Sequence, residues 1–88
     1  MNKDLFHEEP GWTGLFTRNQ DNGAIPNGTR IKKVNSEPGD ANRDGARGTV
    51  LGSLRAPDVM GGLRFYFIEW DAKPRVAIGC MATKVEAL

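Results

Sequence analysis

The chain has 88 residues, with twelve Lys and Arg against eleven Asp and Glu, for a formal net charge of +1. That length fits one small domain, and the near-neutral balance argues against a strongly electrostatic binder of nucleic acid or of a membrane surface. Eleven Gly and five Pro favour short strands and many turns, and a single Cys excludes an internal disulfide and a Cys-rich zinc site.

Residues 1–27 read as an irregular N-terminal extension, partly disordered or docked, ahead of a domain at 28–88. Leu5 to Glu9 can form one helical turn, which Pro10 stops. Beyond it, Trp12, Leu15 and Phe16 fall within five residues, which a purely flexible tail has little use for. These side chains are expected to cover an exposed face of the same domain or to dock on a partner. No segment has the length and apolarity of a secretory core or a membrane span, so a cytoplasmic protein is expected.

From Gly28 the pattern becomes strands with turn punctuation. The first strand is expected over Thr29 to Asn35. There Ile31 and Val34 are three apart, which calls for a bulge or for Lys32 and Lys33 splayed at an edge. A loop follows over Ser36 to Arg47, then a strand from Gly48 to Leu54 and a loop from Arg55 to Gly62. The strongest strand is Leu63 to Trp70. A tight connection at Asp71 to Pro74 leads to a strand over Arg75 to Ile78. A turn at Gly79 to Thr83 precedes a short last strand at Lys84 to Leu88. Five short strands in so little chain suit a small closed barrel of SH3-like order, because a flat sheet would leave edges unpaired and one face open.

In the third strand, alternation sends Tyr66, Ile68 and Trp70 to one face and Phe65 and Phe67 to the other. The first set is expected inside, with Val50, Leu54, Val76 and Ile78. Phe65 and Phe67 are then left outside as an apolar patch, covered by the extension through Trp12 and Phe16, by a second copy, or by a separate partner. A homo-oligomer, with a dimer favoured, is the expected state, since a domain this small has a thin core.

Gly28-Thr29-Arg30-Ile31-Lys32-Lys33, followed by Gly48-Thr49-Val50-Leu51-Gly52, resembles the opening of small SH3-like barrels and, loosely, the KOW motif. The pattern through Gly28, Pro38-Gly39-Asp40, Gly45 to Ser53 and Glu69-Trp70-Asp71 is similar to uncharacterised small proteins carried by integron cassettes and phages. That likeness implies a mobile-element accessory protein and no known activity. With Tyr66, Ile68, Pro74 and Val76-Ala77-Ile78, the chain also distantly resembles plasmid-borne type II dihydrofolate reductases. Under that likeness Lys33, Val76, Ala77 and Ile78 would border a ligand pore shared between copies. The family's Gln and Tyr are replaced here by Ala77 and Gly79, which cannot orient a ligand through side-chain hydrogen bonds, so reductase activity is not expected.

Other candidates are weaker in pattern. Asp40, Asn42 and Asp44, followed by Gly45, match the first half of a calcium loop, but Leu51 stands where a bidentate Glu is needed. A turn-rich loop bonding its own backbone is the plainer reading. Arg30, Lys32, Arg43, Arg47 and Arg55 form a loose basic group that a KOW-like barrel would turn to phosphates. A solvated mixed surface is favoured over that use. Cys80 has no His near it in sequence and is expected to be an inert thiol. His7-Glu8-Glu9 lacks the second His of a zinc helix. No cofactor or catalytic constellation is nominated. The expected function is a non-enzymatic interaction module with a protein or small-molecule ligand of unknown identity.

Overall fold

The computed structural model describes residues 17–88. The expected turn at 5–9, and the candidates Trp12 and Phe16, lie outside the described residues. Five strands form one antiparallel sheet: β1 (Arg30–Lys33), β2 (Arg47–Arg55), β3 (Arg64–Trp70), β4 (Ile78–Met81) and β5 (Val85–Ala87). Their order across the sheet is β4-β3-β2-β1-β5, so the fold is all-β with the SH3-like succession. Two 3-10 turns, Asp58–Met60 and Ala82–Lys84, sit in the β2–β3 and β4–β5 connections.

β4 and β5 are the two edges of this sheet, yet both reach the same core. Ile78 and Cys80 of β4 pack against the cluster of Ile31, Val50, Tyr66, Ile68, Trp70 and Val85, and Val85 belongs to β5. A flat sheet would hold its outer strands roughly 19 Å apart, at the usual strand spacing. The sheet therefore curls around that cluster. Gly48 makes the curl possible, since a Cβ there would come within 2.8 Å of the Glu69 carbonyl oxygen and 3.1 Å of the Trp70 ring.

β3 alternates as its sequence requires. Tyr66, Ile68 and Trp70 are buried at 3%, 0% and 1% exposure. Phe65 and Phe67 face the other way and are half-buried.

Three local expectations are corrected. β1 holds strict alternation without a bulge, because the residue on the inward face beside Ile31 is Lys33 rather than Val34. The irregularity sits in β2 instead. The register with β3 shifts between Val50 and Gly52, leaving Leu51 as the extra residue. One extra residue reverses the parity of all that follow. Ser53 then turns inward and is fully buried opposite Tyr66, while Leu54, expected inside, pairs with Phe65 on the outer face. The fourth strand begins where it was expected to end, at Ile78. Arg75 has a φ of 68°, and the connection from β3 runs through 71–77, with an isolated bridge at Val76 before the strand itself begins.

Residues 17–27 dock on the part of β2 that β1 does not cover. β1 pairs only with Arg47 to Thr49. Further along, the Ser53 N–H donates to the Asn19 carbonyl at 2.7 Å, and Asn19 Nδ2 donates to the Ser53 carbonyl at 2.9 Å. The buried Ser53 hydroxyl accepts the Asp21 N–H at 2.9 Å. Arg64 Nε binds the Asp21 carboxylate at 2.9 Å, and the Ile25 N–H donates to the Tyr66 hydroxyl at 3.0 Å. Buried polar groups of the sheet thus find their partners in this segment.

The backbone of Thr17 lies directly over Gly52, where any Cβ would collide with the Thr17 carbonyl oxygen. Gly52→Ala is expected to lift residues 17–21 off the sheet. Hydrogen exchange should show loss of protection at the Ser53 amide, with the β1–β5 ladder still protected and a lowered melting temperature.

Candidate functional site

The 34–46 loop is shaped by local turn chemistry. Pro38 and Gly39 occupy the centre of a turn closed by the Asp40 N–H on the Glu37 carbonyl at 3.0 Å, with Gly39 at a φ of 93°. The Asp40 carboxylate reaches back to accept the Glu37 N–H at 3.0 Å. Asp44 Oδ1 likewise accepts the Ser36 N–H at 2.8 Å. These bonds fold the loop over the end of β1.

Lys33 is the reason the loop has something to hold. Its side chain is only 4% exposed. An ammonium taken out of water needs acceptors around it. Its three donors meet the Asp40 carboxylate at 3.0 Å, the Ser36 hydroxyl at 2.9 Å and the Val34 carbonyl at 3.2 Å. Lys84, from the second 3-10 turn, comes to the same carboxylate at 3.0 Å. Its other partners are the Asn35 carbonyl, at 3.0 Å, and the Glu37 carboxylate. Asn35 takes the left-handed φ of 54° that Asn tolerates and donates to the Thr83 carbonyl at 2.8 Å. One carboxylate oxygen, Asp40 Oδ2, therefore ties β1, the loop and the last turn together. Hydrogen bonds from the Glu37 N–H and from both lysines hold the Asp40 carboxyl far below the ordinary carboxylate range.

Beside this cluster lies a cavity of about 220 Å³. Trp70, Ile78 and Cys80 supply apolar wall, and Asp40 and Asn42 face it from the loop. Two ammonium groups stand against the carboxylates of Asp40 and Glu37, so the cavity carries no net field for an anion. The Cys80 thiol is pushed above its ordinary value of 9.0, chiefly by burial. Such a thiol stays protonated at neutral pH and is a poor nucleophile.

The structure places the other candidates as follows. Lys33 is not a solvated strand lysine. It is the buried centre of the cluster. Ile78 borders the cavity, whereas Val76 and Ala77 precede β4 and take no part in it. Asp40, Asn42 and Asp44 do not converge as ligands around a cation. Lysine ammonium groups occupy Asp40, Asp44 turns to the Ser36 backbone, and no group of three metal-ligating side chains occurs among the described residues.

The basic candidates do not form one patch. Arg30 makes a two-point contact with Asp71, at 2.7 and 2.5 Å. Lys32 lies 3.9 Å from Glu86, with Arg47 on its other side in the register. Arg55 is turned to Asp21 at 3.6 Å and Arg43 to the Glu37 carbonyl at 3.4 Å. Phe65 and Phe67 lie on the outer face, in rows with Leu54 and Gly52 of β2 and with Met81 and Gly79 of β4.

Sequence reading missed Lys84 and the pairing of Lys33 with Asp40. The available signal was the spacing of Ile31 and Lys33, two apart on a strand and hence on one face. Comparison with protein-family models, with curated proteins and with solved structures finds no match to this chain.

Asp40 and Asp44 both titrate below their unfolded value of 3.8. The stability they contribute is therefore complete above about pH 5 and is lost as pH falls through the folded-state values. Thermal melts should show a steep loss below about pH 4. Asp40→Asn should lower the melting temperature at neutral pH and flatten that acid loss. Cys80 should react with iodoacetamide far more slowly than free cysteine at about pH 8, and at the free rate once unfolded.

Proposed function

We propose that this chain is a non-enzymatic interaction module that associates with a second copy of itself through the outer face of β2, β3 and β4. The observation that carries this reading is the row Leu54–Phe65–Met81, three large apolar side chains paired across three strands on the face turned away from the core. Met81 is 37% exposed and Leu63, just before β3, is 44% exposed. Among the described residues only seven apolar residues are buried. A core of that size supplies little stability, and small domains commonly gain the rest by association. A two-fold arrangement lets one self-complementary row serve both copies.

The cluster of Lys33, Asp40 and Lys84 speaks against catalysis. Both lysines are saturated with acceptors, and burial holds the Cys80 thiol in its protonated form. The sequence resemblance to cassette- and phage-borne small proteins supports reading such a module as a mobile-element accessory protein. Among the described residues no helix is long and apolar enough to cross a membrane.

Sedimentation equilibrium tests the reading. The wild-type chain should show twice its monomer mass in the micromolar range. Phe65→Lys should give a folded monomer, with the far-ultraviolet spectrum unchanged. A wild-type monomer, or an unchanged mass in Phe65→Lys, removes the proposal.

A further inference from the structure

Among the described residues no strand pairs with the far side of β4, and the ladder shows which of its backbone groups face that side. Both backbone groups of Ser53 bond to Asn19, so they point away from β3. In an antiparallel ladder Ser53 and Tyr66 are then a non-bonded pair, and the Tyr66 N–H and C=O must face β4. Val50 gives the same parity independently. Its N–H and C=O bond to the Thr29 carbonyl and the Gly28 N–H at 3.0 and 2.7 Å, so Ile68 also faces β4. Tyr66 pairs with Cys80 and Ile68 with Ile78. By the two-residue period, both backbone groups of Gly79 and the N–H of Met81 point outward, away from the sheet, while the Met81 C=O is taken by the 3-10 turn that Met81 caps. An exposed edge of this kind is a template for another strand.

The cavity runs along this edge. All four β4 residues, from both faces of the strand, line it. Nothing lies within 4 Å of the position a Cβ would take at Gly79, so the outer face of the strand is open at that residue. The far wall is fixed by the two saturated lysines. Three hydrogen bonds fall on Asp40 Oδ2. Asp40 Oδ1 takes none among the described residues, and the Asn42 side chain makes none either. Asp40 and Asn42 line the cavity together with Trp70, Ile78 and Cys80, a mixture of acceptor and apolar wall that fits an aromatic side chain ending in a hydrogen-bond donor.

The geometry points to a peptide-binding site: an extended segment of a partner protein adds to β4 as a sixth strand, bonds to Gly79 and Met81, and seats a tyrosine-like side chain between β4 and the 34–46 loop. Main-chain bonds supply the affinity and the cavity supplies the selection. This goes beyond the self-association reading, which uses the outer row of Leu54 and Phe65, and either holds without the other.

The test uses the unaltered full chain and the peptide acetyl-Thr-Val-Tyr-Val-Thr-amide, followed by nitrogen-15 correlation spectra. Saturable shifts are expected at the Gly79 and Met81 amides and at the Trp70 indole, at up to millimolar peptide. N-methylation of the two peptide amides flanking the tyrosine should weaken binding about tenfold. Replacing the peptide's tyrosine by phenylalanine should weaken it several-fold. Absence of shifts, equal binding of the N-methylated or phenylalanine peptide, or shifts centred on Leu54 and Phe65 would each overturn the proposal. A change in sedimenting mass would bear on self-association alone.

Discussion

A lysine faces inward at the end of β1, and much of the molecule is arranged to keep its charge in company. Burying an ammonium without partners costs several kcal/mol, a large share of what a domain this size has in hand. Lys33 avoids that cost through Asp40, Ser36 and the Val34 carbonyl. Asp40 reaches it because the Pro38-Gly39 turn folds the loop back. Lys84 joins the same oxygen and so anchors the turn that leads into β5. One oxygen thus adds a side-chain tie between the first strand, the longest loop and the turn before the last strand, which the β1–β5 ladder already holds together through the backbone.

The extra residue in β2 has the opposite kind of effect. It sends Ser53 in and Leu54 out, which takes one large apolar side chain from an already thin core. The buried hydroxyl gains a partner from Asp21, and the uncovered backbone gains Asn19. Residues 17–27 therefore complete the sheet rather than trail from it. The displaced Leu54 extends the outer row with Phe65 and Met81. The same irregularity that calls for the docked segment also supplies the apolar face proposed to self-associate.

The two proposed surfaces differ in physics. The outer row is apolar, and its gain would come from area removed from water, suited to a second copy. The β4 edge is narrow and polar along its backbone, with a cavity at one side. It would gain from directional bonds and would choose by the side chain presented. Both surfaces meet at β4, whose backbone serves one and whose Met81 side chain serves the other.

Sequence alone determined the all-β class, the five-strand count, and the inward set Tyr66, Ile68 and Trp70. Those follow from turn residues and from a period of two, which are local properties. It also separated Phe65 and Phe67 from the core for the same reason. Tertiary structure decided the parity of β2 after Leu51, the start of β4 at Ile78, and the inward place of Lys33. A bulge, a strand end and a buried charge each depend on which neighbour lies across the ladder or over the loop, and Asp40 and Lys84 are 44 residues apart. No local pattern can show that pairing, because it exists only once the sheet has curled and brought the last turn to the first strand.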